Sequence, residues 1–590
     1  MQSRTLFPPL LFGALILGCV GNLGGDDPGG ATPPPPGPST SAFECKAGLT
    51  PPSVPLRRLS RLQYLNTLED LLKYALPDEA GVVMTGLDPV LSGIPADEKQ
   101  GPSKHFGGFT RLAQAVSQEQ VEGSYAVANG VGAALTSTPA RLARVAGACA
   151  ADADAGNDVA CLDAFISSFG ERTLHRAITP DDVAFYKKVA GAAPFDAADW
   201  GDVIGLLLAA PEFLYFVESG KDAVSGSKDL YTMSAYEMAS RLSYHFWQTM
   251  PDEELLAHAR SGDLTQDAVF QAQVQRMFAD PRTRTTIESF YDEWLHRDDV
   301  AELTSRLGTP AFDTLRGKFI PGPALRESMF TEIVDMATHY SLDTKGTIED
   351  LYTSRKSFAK AADLAEIYGV PVWDGKGEPP TFVEPERQGL LTRAGMVATG
   401  SVNTRPVMKG VFIRRALLCD ELPPPPANAN AKPLEPTGDL TAREEIAALT
   451  ETGICAGCHT TVINGLGYTT ENFDAIGRFR GKEMLIDGVT GLLKGTKPVD
   501  TAAAPHVVAK DDRVAKDSRD VSQWMLESGK AQACFARVYF RFTFGRAEDV
   551  IQDACALADL DAELEKGTDL GSVLAKVALG PAFRQRNFGQ

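Results

Sequence analysis

Apolar residues recur at three- and four-residue steps along most of this chain, the spacing that gathers them on one face of a helix. Across 56–72, Leu59, Leu62, Leu65, Leu68 and Leu72 keep that step while Arg57, Arg58, Arg61 and Asp70 fall elsewhere. Met238, Leu242 and Phe246 mark a second face within 235–247, and the same step runs through 330–340, 535–542 and 557–564. Thr441 with Glu444 three residues on predicts a helix start closed by a capping box. Strand-like alternation is scarce, so the pattern predicts a mainly α protein of several consecutive helical domains. Gly- and Pro-rich stretches at 21–55 and 422–438 read as linkers, the second holding four prolines at 423–426. The expected organisation is a processing segment 1–18, a flexible tether 19–55, helical domains 56–130, 131–225 and 226–375, a chemistry-bearing segment 385–500 and a C-terminal helical domain 510–590. In the last of these Gly545 separates two helical patterns, which predicts a helical hairpin.

Composition narrows the classes. With 44 % hydrophobic and 23 % charged residues the 590-residue chain is globular, and its length suggests several domains. Lys and Arg total 57 against 77 Asp and Glu, a net charge of −20, which argues against a nucleic-acid partner. The longest apolar run past the N-terminus, near 203–210, is far short of the roughly 20 residues that span a bilayer. At the N-terminus Arg4 precedes an apolar run at 6–17, then Gly18 and Cys19. Ile16-Leu17-Gly18-Cys19 resembles the lipobox of bacterial lipoproteins, which implies acylation of Cys19 and a protein held by lipid at the outer membrane, cell surface or periplasm. The competing reading is an ordinary cleaved signal peptide with an incidental cysteine.

Export changes the reading of the cysteines. Setting aside Cys19 and the close pair Cys455 and Cys458, six of the nine remain, and in an oxidising compartment they suggest three disulfides. Cys149–Cys161 would close the polar loop 151–158, Cys534–Cys555 would staple the helical hairpin, and Cys45–Cys419 follows by elimination. The sharpest motif is Cys455-Ala456-Gly457-Cys458-His459. Two thiols three residues apart lie on adjacent sides of one helical turn, and the next residue brings an imidazole to the same space. That is the arrangement for thioether attachment of one covalent haem c, with His459 as the proximal iron ligand. A Cys455–Cys458 disulfide is the alternative; a zinc site would need a further ligand pair. Leu466, Tyr468, Phe473, Ile476 and Phe479 are candidate walls for a flat cofactor. Between 387 and 419 there are six basic residues (Arg387, Arg393, Arg405, Lys409, Arg414 and Arg415) and no acid. Some of these, or Arg478 and Arg480, are candidates to hold haem propionates, because Arg forms two parallel bonds to a carboxylate. Met484 is the candidate distal iron ligand, with Met525 and His506 as others.

Longer segments carry a resemblance. They are Arg57-Arg58-Leu59-Ser60-Arg61-Leu62-Gln63-Tyr64, Leu208-Ala209-Ala210-Pro211-Glu212-Phe213-Leu214-Tyr215, Ala239-Ser240-Arg241-Leu242-Ser243-Tyr244-His245-Phe246-Trp247, Arg387-Gln388-Gly389-Leu390-Leu391-Thr392, Glu471-Asn472-Phe473-Asp474-Ala475-Ile476-Gly477-Arg478 and Phe544-Gly545-Arg546. With them the chain resembles the secreted multidomain proteins of planctomycetes and myxobacteria built from consecutive domains of unknown function around a planctomycete-type cytochrome-c-like segment. The resemblance implies an architecture, with 385–500 as the cytochrome-c-like domain, more than an activity. Taken together these readings give an exported, membrane-anchored c-type cytochrome-like protein, an electron carrier or a haem-dependent oxidoreductase. Its partner would be a redox protein or an extracellular substrate, with no nucleic acid and no membrane contact beyond the lipid anchor. The alternative is a non-enzymatic cell-surface binding or scaffold lipoprotein whose Cys455 and Cys458 form a disulfide.

Overall fold

Helices begin where a short polar residue precedes the apolar face. Ser60, Ser117, Thr179, Asp196, Ser234 and Thr441 each accept a first-turn N–H on the side chain, while the side chain three residues on accepts the cap's own N–H. These bonds satisfy N–H groups that a helix start leaves without a partner. The computed structural model describes residues 43–46, 48–101, 108–423 and 436–589, and it is 55 % helical with only small sheets. The segment 1–18, Cys19, the tether as far as residue 42 and most of the linker 422–438 lie outside the described residues. Among the described residues no helix is long and apolar enough to cross a membrane.

The expected faces at 235–247 and 557–564 are found in helices Ala235–Phe246 and Ala554–Glu565, which bury Met238, Leu242 and Phe246, and Leu557, Leu560 and Leu564. The first helix differs. It runs Arg61–Ala75 behind the Ser60 cap and buries Tyr64, Leu68, Leu71 and Leu72, leaving Leu62 exposed. Arg57–Arg58 is instead a strand paired with Tyr215–Phe216, so the face is set from Ser60 onwards and turned relative to the leucine repeat.

Two further antiparallel pairs join Leu230–Thr232 to Gln585–Asn587 and Lys482–Ile486 to Leu493–Pro498. The largest apolar cluster runs from Phe109 to Val577 around Phe290, Tyr291, Trp294, Phe535, Tyr539 and Phe542. A second cluster is built from residues 59–250, and a third from Leu303 to Ile486.

Among the described residues there are three disulfides. Cys149–Cys161 is the expected pair. The other two expectations are corrected, because Cys45 pairs with Cys555 and Cys419 with Cys534. Helices Lys530–Phe544 and Ala554–Glu565 do form a hairpin, but they meet through Ala533, Phe540 and Leu557, where Phe43 also packs. Cys534 lies in the large core beside Cys419 instead, and Cys555 is left for the N-terminal strand of chain that carries Phe43.

One buried acid makes stability pH-dependent. Asp561 is 4 % exposed, its Oδ1 has no partner, and burial, with Glu565 nearby, pushes its carboxyl up to about 7. The folded protein therefore keeps a proton that the unfolded chain, with an ordinary Asp near 3.9, releases. This contribution is whole below about pH 4 and is lost as pH rises through 7. Asp561→Asn is expected to remove that slope, so urea midpoints at pH 5 and pH 8 should converge in the variant relative to the parent.

Candidate functional site

The motif Cys455–His459 lies on a series of tight turns. Gly453–Cys455 is a 3-10 turn, Ala456–Cys458 a single helical turn and His459–Ile463 a π turn that runs into helix Asn464–Tyr468. Helix Pro406–Phe412 crosses this last helix at backbone contact. A Cβ on Gly467 would fall 2.0 Å from the Pro406 carbonyl oxygen, and one on Gly410 2.1 Å from that of Ile463. Any larger residue at either position would push the motif-bearing helix off its support.

Cys455 and Cys458 are exposed and free, unlike the alternative reading in which they form a disulfide. They sit at the outer surface of the turn, with neither side chain drawn into a cluster. His459 is half-buried, and its Nδ1 lies 3.1 Å from Asn464 Oδ1. The amide nitrogen of Asn464 faces three acceptors, Thr450 Oγ1 at 2.9 Å, Glu451 Oε1 at 3.2 Å and Tyr468 Oη at 3.1 Å. Thr450 and Tyr468 act as acceptors here because their own hydrogens go to the Ile446 carbonyl and to Glu451. The network thus fixes which end of the amide is oxygen. Nδ1 of His459 must carry the hydrogen, and the lone pair is left on Nε2. Burial and the bond to Glu451 raise the Tyr468 phenol above its usual range, so it stays a donor.

Below the motif lies a buried ionic layer. Lys409 Nζ is 2.7 Å from Glu471, which also accepts from Thr404 at 2.6 Å and from Arg480 at 3.2 Å. Arg480 reaches Glu483 at 3.4 Å, and Glu483 accepts the Ala442 N–H at 2.9 Å at the start of helix Ala442–Thr450. Burial lowers Lys409 against the pull of Glu471, and burial raises Glu483 with Glu471 adding to it.

The candidate propionate residues have partners within the chain. Arg480 is consumed by Glu471 and Glu483, and Arg478 by Asp474 at 2.7 Å and the carbonyls of Leu315 and Arg316. Residues of the basic run 387–419 likewise have partners within the chain, some near in sequence and some distant. Arg393 pairs with Glu332 at 2.6 Å and Arg414 with Asp420 at 3.0 Å, while Arg387 lies over Phe473 and Tyr368 at 4.5 and 4.7 Å. Met484 packs elsewhere. Strand alternation turns it away from the face of Glu483 and packs it on the cluster of Phe312 and Ile486, which contains none of His459, Asn464 or Tyr468. The expected apolar walls are dispersed: Leu466 is in the largest cluster, Ile476 in the third, and Phe473 packs edge-on against the partly exposed Phe479. Asn464, Thr450 and Glu451 were not legible as site residues. A 3.6-residue period does not pair His459 with Asn464, and only the extra residue of the π turn brings the fifth position round.

Two family models match the chain. Residues 233–370 match the family described as PSD4, protein of unknown function (DUF1592), and residues 387–483 match PSCyt3, protein of unknown function (DUF1588). The chain carries these two domains of unknown function consecutively. Comparison with curated proteins and with solved structures gives no match. Cys455, Cys458, His459 and Asn464 all lie in the PSCyt3 segment, as do Lys409, Glu471 and Arg480. The Arg393–Glu332 pair joins the PSCyt3 segment to the PSD4 segment.

Proposed function

We propose that the PSCyt3 segment carries one covalently attached haem c, and that the protein is an exported, lipid-anchored c-type cytochrome-like protein acting in electron transfer or haem-dependent redox chemistry. The observation that supports this best is the fixed tautomer of His459. Its Nδ1–H is held by Asn464 Oδ1 and its Nε2 lone pair is left for a ligand, the arrangement in which a second partner orients a metal-bound imidazole. Two free, exposed thiols three residues apart precede it, accessible to thioether formation. Bound haem would supply one-electron transfer. The residues of this chain would then tether it through Cys455 and Cys458, ligate it through His459 and hold that imidazole through Asn464. Three disulfides elsewhere in the chain fit an oxidising compartment, and the lipobox-like segment ending at Cys19 fits a membrane anchor.

The test is expression of the full chain in a host with a cytochrome c maturation system. Intact mass should show one haem per chain, with reduced absorption bands that survive acid–acetone extraction. The double variant Cys455→Ala, Cys458→Ala should lose both. In Asn464→Leu the haem should stay attached while axial ligation weakens by about 10- to 100-fold, read as carbon monoxide binding to the reduced form. Matured wild-type chain without a haem adduct would refute the reading.

A further inference from the structure

Three of the segments that carry the family resemblance, distant in sequence, meet at one cavity of about 70 Å³, several times the roughly 15 Å³ that a single water needs. Arg57 and Arg58 line it from the first, Arg241, Tyr244 and His245 from helix Ala235–Phe246, and Phe544, Gly545 and Arg546 from the hairpin. The strand Gln585–Asn587 closes it with Arg586. None of these residues belongs to the His459 site.

The wall is strongly cationic in a chain of net charge −20. Six arginines line it (57, 58, 111, 241, 546 and 586), and Glu218 is the one carboxylate among the described lining residues. Arg58 and Arg546 are answered from outside the wall by Asp97 at 2.5 Å and Asp553 at 2.6 Å. Glu218 is shared between Arg241 and Arg586, each at 2.5 Å. Among the described residues Arg57 and Arg111 form no ion pair. They donate to the carbonyls of Phe544 at 2.8 Å and Phe542 at 2.7 Å and lie over the rings of Phe216 and Phe542. Burial, with Arg241, Arg586 and Arg546 close by, pushes Arg57 down to about 10 in spite of Glu218.

Three lining groups, Arg586, His245 and Thr543 (through its Oγ1), have polar atoms with no partner. Arg586 is 7 % exposed and its Nε is unpaired; His245 is 4 % exposed and its Nδ1 is unpaired. Tyr539 Oη gives its hydrogen to the Leu574 carbonyl at 2.9 Å, so at 3.4 Å from His245 Nε2 it is the acceptor. Nδ1 is therefore an acceptor. A buried guanidinium N–H and a buried acceptor nitrogen left open on a wall of surplus positive charge call for a ligand that both accepts and donates.

We propose that this cavity binds a phosphate-sized oxyanion that retains one hydroxyl, its oxygens accepting from Arg57 and Arg586 and its hydroxyl donating to His245 Nδ1. Charge surplus selects an anion, and the acceptor nitrogen selects hydrogen phosphate over sulfate or a carboxylate.

The test is calorimetric titration of the full chain with inorganic phosphate, sulfate and chloride at one pH near 7 and matched ionic strength. Phosphate should bind at least 10-fold more tightly than sulfate. Arg57→Gln should fold with an unfolding midpoint in chloride no lower than the parent's, because it removes an unpaired charge, while losing at least 10-fold in phosphate affinity. If that variant does not fold, Arg586→Lys, which keeps the charge and discards Nε, should show the same loss. Equal responses to phosphate and sulfate, or a response that survives in these variants, overturn the proposal, as does the absence of any binding beyond that of chloride.

Discussion

Glu332→Gln is expected to destabilise the folded chain by about 3–5 kcal/mol, the cost of leaving a buried cation without its partner. Glu332 and Arg393 are 1 % and 0 % exposed at the side chain, and the guanidinium is locked by the carbonyls of Lys356, Ser354 and Gly389. It has no route to water. The carboxylate meanwhile accepts from the Phe358 N–H and from Tyr368 Oη, whose oxygen in turn accepts the Ala394 N–H. Helix Leu325–Thr338, the 354–358 segment and the Gly389–Ala394 turn are therefore held at one point. Urea unfolding should show a lower midpoint with little change in slope. Glu332→Leu combined with Arg393→Met should recover much of the loss, because an apolar pair needs no desolvated charge. An unchanged midpoint in Glu332→Gln would mean that the two halves of the chain are not held there.

The second large effect concerns the core disulfide. Cys419→Ala with Cys534→Ala opens a loop of sequence separation 115, for which chain entropy gives on the order of 4–5 kcal/mol. Both cysteines are buried in the largest cluster, so the loss should appear as a lower urea midpoint of the oxidised variant. Non-reducing peptide mapping of the parent should recover Cys419 with Cys534 and Cys45 with Cys555. Recovery of a Cys534–Cys555 peptide would reverse the assignment of the hairpin faces.

What could be read from the residues was local. The face of Met238, Leu242 and Phe246, the Thr441 cap with Glu444 and the break at Gly545 all depend on neighbours within about one turn, and the structure contains each of them. Cys149–Cys161, twelve apart, belongs with these. Long-range partners were another matter. The six bases at 387–419 looked like a reserve for an external carboxylate because their acids, such as Glu332 and Glu471, lie some 60 residues away. Once buried, such charges must be paired, and composition alone cannot say by which acid. The support of His459 by Asn464 escaped for a geometric reason, since the π turn changes the residue count per turn at that point.

The Cys45–Cys555 bond also has a mechanical meaning. Tension applied at the N-terminal end would pass across that bond into helix Ala554–Glu565 before it reached helix Arg61–Ala75. The paired strands Leu230–Thr232 and Gln585–Asn587 would spread the same pull into the middle of the chain. A molecule tugged from its starting end would thus resist being peeled helix by helix, and cutting one covalent link by reduction would change how it yields.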